Sequence, residues 1–268
     1  MKTKHIQGRW LNFLKLLVLS ALACYFPVSA LAKERCPEEI LSLLMEKLSI
    51  FDADRQIRDV QCKTWPNDEN RMLSVLAYVP IDEIDRHIEI PFAIAFVQLS
   101  PLKILNVYLG NTNTDATRRV IDGYFSIDTA KYQLSNDARA FALREGGFVE
   151  ISGMPAGNED KFSLYVFERG GSIRKILEIP FLRFWSYAYN AESQCDTRRA
   201  DASPYRILNI SVLNTHSHGY HDLMVTARKE GLTKALFRQK LEYNGKIYKT
   251  ENLIKKIRYW AYENNNGC

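Results

Sequence analysis

The chain has 268 residues, with 36 Lys and Arg against 31 Asp and Glu, so it carries a formal charge of +5 at pH 7. Four of those bases, Lys2, Lys4, Arg9 and Lys15, fall in the first 32 residues, which hold no acid; the remainder is nearly balanced at 32 to 31. A near-neutral body excludes a general nucleic-acid footprint, which needs a net basic surface.

In chain order, the basic start is followed by the 17-residue apolar run LLVLSALACYFPVSALA, ending in Ala30-Leu31-Ala32. A charged segment, an apolar core and a small-x-small end are the pattern of a secretory signal peptide, so residues 1–32 are expected to be removed after Ala32. The expected location is the periplasm or the exterior, with no transmembrane segment left after cleavage. Ala21-Leu22-Ala23-Cys24 offers a lipoprotein cleavage site as the lesser alternative. Cys36, Cys62, Cys195 and Cys268 then remain. Four cysteines in an oxidising compartment imply two disulfides, and Cys36–Cys62 with Cys195–Cys268 are the locally closed pairs among three connectivities. No Cys-x-x-Cys pair occurs to suggest a zinc ribbon or a redox motif.

The segment CPEEILSLLMEKLSIFD reads as an amphipathic helix. Pro37 suits the first turn, Glu38 and Glu39 suit its positive end, and Ile40, Leu43, Leu44 and Leu48 share a face, with an end expected near Asp52. The pattern then changes to short apolar runs between turn signals: RMLSVLAYV, IPFAIAFVQL, ILNVYLG, VIDGYFSI, ARAFALRE, FSLYVFE, YRILNISVLN, DLMVTAR and ALFRQKLEY. Spacings of roughly 10 to 20 residues leave no room for crossover helices and predict sequential antiparallel pairing. The last segment returns to helical spacing, with Thr250 as N-cap and Leu253, Ile254, Ile257 and Trp260 on one face. The expected fold class is mainly β, in antiparallel meanders, with an N-terminal helix and a short C-terminal one. Residues 33–135 are expected to form a helix plus β-rich region, and 136–268 a β-meander region. Within the latter, FERGGSIRK and LEYNGKIYK align without gaps at an offset of 74, each with a Gly-Gly or Asn-Gly turn between strand-like runs.

The densest cluster of metal-ligating residues is THSHGYHD, which holds His216, His218, His221 and Asp222. Thr215, His216, His218 and His221 resemble the Thr-His-x-His-x-Asp-His strand end of the metallo-β-lactamase superfamily. Tyr220 stands where that family has an aspartate, and no histidine follows His221, so the family's two-metal ligand set is not completed. A single zinc held by His216, His218 and His221, with water or Asp222 as fourth ligand, is the reduced form of that reading. The competing reading makes THSHGYH the turn of a hairpin. Gly219-Tyr220-His221-Asp222-Leu223 followed by LEYNGKIYK resembles the blade-like repeat of FG-GAP or integrin-α-type propellers, and implies a β-meander there. It lacks the acidic calcium loop that precedes such strands.

Other candidates are thinner. NTNTDATRRVID, Asn111 to Asp122, has oxygen ligands at calcium-loop spacing but Ala116 where the loop needs glycine. FDADRQIRD around Asp52 and Asp54 fails at the same position with Ile57. Trp185, Tyr187 and Tyr189 offer an aromatic row suited to a protein interface or a sugar. Nucleophile elbow, phosphate loop and His-Glu-x-x-His helix are absent from the sequence, and carboxylates such as Glu145, Glu150 and Glu159 show no pairing in one dimension. The expectation is therefore a non-catalytic binding protein of the bacterial envelope, such as an inhibitor, an immunity protein or an assembly accessory. Its expected partner is an envelope or secreted protein, with carbohydrate as an alternative. No cofactor is expected; a zinc-binding protein or zinc-dependent hydrolase is the alternative.

Overall fold

The computed structural model describes residues 36–50, 55–80, 89–113, 120, 122–151, 154–168, 171–183, 206–229 and 233–263. The chain is mainly β. Helix α1 (Glu38–Lys47) leads into β1 (Arg55–Trp65), β2 (Asp68–Pro80), β3 (Glu89–Leu99) and β4 (Leu102–Asn113). Next come β5 (Phe125–Gln133), β6 (Arg139–Ile151), β7 (Met154–Phe167) and β8 (Ile173–Arg183). Strands β9 (Arg206–Ser217), β10 (Tyr220–Lys229) and β11 (Ala235–Leu241) precede helix α2 (Glu251–Glu263). Three antiparallel sheets run in chain order: β1-β2-β3-β4, β5-β6-β7-β8, and β9-β10-β11. No helix among the described residues is long and apolar enough to cross a membrane.

Side-chain alternation explains how the sheets stack. On β6, Phe141 and Leu143 enter one core with Leu73, Val75, Phe92, Ile94 and Phe96 of the first sheet. Their neighbours Ala140 and Ala142 enter another, with Leu223, Val225 and Ala227 of the third sheet. The second sheet is therefore buried on both faces; on β6 the large side chains face the first sheet and the alanines the third, where Phe162, Leu164 and Val166 of β7 fill the space beside them. The first sheet is also covered twice, because Met72, Leu76, Ala95 and Val97 pack against Ile40, Leu44 and Ile50 at α1. Double burial is why IPFAIAFVQL reads as a continuous apolar run rather than an alternating one.

Both helices form where their spacing predicts them; the side chain of Trp260 lies outside the described residues. In α1, the Pro37 carbonyl accepts from the Ile40 and Leu41 amides, and Ile40 and Leu44 are buried. It ends at Leu48, short of the expected Asp52. Ser49 turns left-handed (φ 53°), and the Ser49 and Ile50 amides donate to Glu46 and Met45 in a Schellman closure that returns Ile50 to the core. The apolar contact face also takes in Leu41 and Met45. In α2, Leu253 and Ile257 are fully buried on the third sheet's core, and the Ile254 amide donates to Thr250.

A disulfide joins Cys36, just ahead of α1, to Cys62 on β1. Cys195 and Cys268 lie outside the described residues. One buried carboxylate fastens the first sheet to the second: Asp59 (2% exposed) accepts from the Gly123 amide (3.0 Å), the Phe125 amide (2.6 Å) and the Gln61 side chain (2.9 Å). Asp122-Gly123 at φ 84° for the glycine is a turn, so the run VIDGYFSI enters its strand only at Phe125. A second buried carboxylate, Glu145, accepts from the Thr112 hydroxyl (2.7 Å) and pairs with Lys161 (2.8 Å). Glu145 is thus consumed by packing; the side chains of Glu150 and Glu159 lie outside the described residues.

Adjacent side chains on β6 serve different cores, so Phe141→Ala and Ala142→Leu are both expected to destabilise the protein. The first should cost about 3–5 kcal/mol by leaving a cavity, and the second about 1–3 kcal/mol by overpacking. Urea denaturation checks both, and tolerance of Ala142→Leu would mean that the third sheet does not cover β6.

Candidate functional site

Two places gather side chains with chemical potential. The first is the histidine hairpin. Ser217 pairs with Tyr220 and His216 with His221, leaving His218 and Gly219 as a two-residue turn. Both turn residues have positive φ, 49° and 86°, the geometry of a primed hairpin turn whose twist matches the strands. THSHGYH is therefore a strand end, a tight turn and a strand start.

This register decides which ligand candidates meet. His216 and His221 face each other across the strands, with Nε2 atoms 3.2 Å apart and ring centres 3.8 Å apart. His218 leaves them, and its Nδ1–H donates to the Tyr243 carbonyl at 2.8 Å. A zinc held by His216, His218 and His221 together would need the strand to continue through His218, with His216 and His218 on one face, and the turn begins there instead.

Asp222 follows His221 and so points to the opposite side of the strand. It is fully buried and pairs with Lys240 of β11 at 2.9 Å. Burial pushes its carboxyl up, but hydrogen bonds from Ser217, Thr215 and Lys240, with the Lys240 charge, outweigh this and hold it below the usual aspartate value. The register slips between His221 and Leu223, whose partners are His216 and Val212, so β9 carries extra residues in Leu213, Asn214 and Thr215. Thr215 of that bulge and Ser217 beyond it lie against the Asp222 carboxylate. Asp222 is a structural anchor, remote in direction from the imidazole pair. Among the described residues no three histidine, cysteine, aspartate or glutamate side chains gather where one metal ion would touch them all.

The second place is a cleft of about 520 Å³ at one end of the interface between the first and second sheets. Trp65, Arg71, Phe96, Leu105, Asn106, Asp137, Arg139, Phe167 and Gly171 line it. The wall is aromatic: Trp65 meets Phe96 and Phe167 edge-on at 5.4 and 5.5 Å between ring centres, and Phe96 lies 4.5 Å from Phe167. Each of two arginines stands over a ring, Arg139 over Trp65 at 5.4 Å and Arg71 over Phe96 at 5.8 Å. Such cation–π contacts hold a guanidinium in place for about 0.5–1 kcal/mol each without neutralising it.

The two arginines differ in what else they bind. Arg71 pairs with Asp68 at 3.0 Å. Arg139 donates from Nη2 to the Thr129 carbonyl at 3.2 Å, its Nε is buried without a partner, and no carboxylate pairs with it among the described residues. Gly171 closes one side at φ 92°, and a Cβ there would come within 3.1 Å of the Asn106 side-chain oxygen. Arginines placed over aromatics from separate strands carry no signal in one dimension.

The remaining sequence candidates are quickly placed. Trp185, Tyr187, Tyr189 and the calcium-type spacing at 114–119 lie outside the described residues, as do Asp52 and Asp54. FERGGSIRK and LEYNGKIYK meet in space: Arg174 donates to the Tyr243 hydroxyl (2.9 Å) and to the Lys246 carbonyl, and the Tyr248 amide donates to Ile176 (2.9 Å). Only one isolated bridge, Tyr243 to Tyr248, forms in the second segment, so the two echo each other in turn chemistry more than in strand length. Compared with known proteins, the chain matches no family model and no curated sequence.

The depressed Asp222 carboxyl makes a pH prediction. A carboxyl lower in the folded than in the unfolded state adds stability above the unfolded value, near pH 4, and loses it as pH falls through the folded one. Asp128 has the same sign, since donors led by Arg144 outweigh its burial. Denaturation midpoints should therefore fall below about pH 4, and Asp222→Asn should be less stable at neutral pH yet less sensitive to acid. An unchanged acid slope in Asp222→Asn would show that the Lys240 pair contributes nothing.

Proposed function

We infer that this is a non-catalytic binding protein of the cell envelope, and that the cleft between the first two sheets receives an acidic side chain of an extended segment in an exported partner protein. The observation that carries this is Arg139: a guanidinium held over Trp65, with an unpartnered buried Nε and no carboxylate partner among the described residues. An anion entering the cleft gains a charge-assisted bond to an arginine already oriented for it. The aromatic wall of Trp65, Phe96 and Phe167 takes the apolar part of the same segment. Asp137 on the exposed rim makes no ion pair among the described residues and is placed to meet a basic neighbour in that segment.

Other features support the same reading. The buried carboxylates Asp59, Glu145 and Asp222 are occupied by structural hydrogen bonds or ion pairs, which leaves none of them free for acid–base work. The Cys36–Cys62 disulfide suits an oxidising compartment. The basic, then apolar, first 32 residues supply the export signal that this location requires.

The expected outcome is that the processed protein, immobilised and exposed to periplasmic extract, retains one partner in stoichiometric amount. Arg139→Gln, which keeps a polar side chain but removes the charge, should lose it at least tenfold with an unchanged circular-dichroism spectrum. A partner held equally well by Arg139→Gln would contradict the assignment of the cleft, and repeated absence of any partner would contradict the binding role itself.

A further inference from the structure

The geometry points to a two-histidine chelate, His216 with His221, that takes one divalent transition-metal ion of the copper–zinc class at the exposed tip of the β9–β10 hairpin. The inference is independent of the cleft and of what fills it. Its starting point is how the two rings meet. Their Nε2 atoms are 3.2 Å apart while their centres are 3.8 Å apart, at 37° between planes. In an end-on N–H···N hydrogen bond between imidazoles the ring centres would stand about 5 Å apart, since each nitrogen lies at the ring edge on the line joining them. Here the rings overlap at stacking distance, with the two Nε2 atoms adjacent.

The spacing is that of two ligands on one ion. Imidazole nitrogens at about 2.0–2.1 Å from a zinc-sized ion, at a tetrahedral angle, are separated by about 3.4 Å. The tautomer is prepared as well: His221 Nδ1–H donates to the Leu213 carbonyl at 2.5 Å, so in the neutral ring the lone pair falls on Nε2. The bulge of β9 at Leu213 brings that carbonyl within reach.

The ligand backbone is held on three sides. The His221 amide donates to Leu134 of the second sheet (2.7 Å), its carbonyl accepts from the Tyr248 hydroxyl (2.6 Å), and its strand is locked below by the buried Asp222–Lys240 pair. His216 is exposed at the next register position after the turn. Ser217 and Tyr220 close the two-residue turn as a hydrogen-bonded pair, so His216 and His221 form the following non-hydrogen-bonded pair, where cross-strand side chains are nearest. Little ordering is left for the metal to impose, and its other positions stay open to water or to a donor on another molecule. With neutral nitrogen ligands only, Cu²⁺ should bind more tightly than Zn²⁺.

The test is titration of the untagged full chain with Cu²⁺ and Zn²⁺ salts, read by calorimetry and, for Cu²⁺, by the nitrogen hyperfine pattern of its electron paramagnetic resonance spectrum. The expected result is one ion per chain in the micromolar range, Cu²⁺ tighter than Zn²⁺, with two equivalent imidazole nitrogens. His216→Ala should weaken uptake at least tenfold and leave the fold intact, because the side chain is exposed; His218→Ala should leave uptake unchanged. Absence of stoichiometric uptake, or uptake that survives His216→Ala or disappears in His218→Ala, overturns the proposal.

Discussion

The burial of the second sheet on both faces is the constraint from which the rest of the architecture follows. A strand with one wet face tolerates polar side chains at every second position, and β6 has no such position between Ala140 and Leu143. Phe141 and Leu143 must find a sheet on one side, and Ala140 and Ala142 must find another on the far side. The first and third sheets answer that need; α1 closes the outer face of the first sheet, and Leu253 and Ile257 of α2 enter the core shared by the second and third. The layer between the first and second sheets is rich in aromatics, with Trp65, Phe92, Phe96, Tyr165 and Phe167. Where that aromatic layer reaches the edge of the sheets it does not close, and the cleft opens there.

Polar groups inside such a stack must be satisfied internally. Asp59 receives two backbone amides from the start of the second sheet, Glu145 takes Thr112 and Lys161, and Asp222 takes Lys240 with Thr215 and Ser217. Each carboxylate ties together segments distant in sequence and is fully committed to that task. At the perimeter, Arg139 makes no ion pair among the described residues and His216 meets His221.

The fold was largely legible in the sequence, for identifiable reasons. Strands with unbroken apolar runs, such as IPFAIAFVQL, announced themselves, and so did the two amphipathic helices with Pro37 and Thr250 at their starts. β1, RQIRDVQCKTW, was missed because it is an edge strand with charged residues, and its burial rests on a few side chains including the clamped Asp59 and the bridged Cys62. β8, IRKILEIPFLR, was hidden by its bulge, which puts both Ile176 and Leu177 into one core and breaks the alternation. The histidine hairpin was readable as a turn, since Gly219 with a polar neighbour suits positive φ. The identity of the imidazole pair was not, because it depends on where the turn begins, and a shift of one residue changes every partner. The cleft was invisible in one dimension, as Trp65, Phe96, Arg139 and Phe167 converge from β1, β3, β6 and β7.

The central claim is that the cleft is where this protein meets its partner. Site-specific photo-crosslinking in intact cells tests it most directly. A photoreactive residue at Asp137, exposed on the cleft rim, would be compared with one at Leu236, 43% exposed on β11 of the third sheet. The account predicts one discrete adduct from position 137 and none from 236. Equal labelling from both positions, or an adduct from 236 alone, would contradict it.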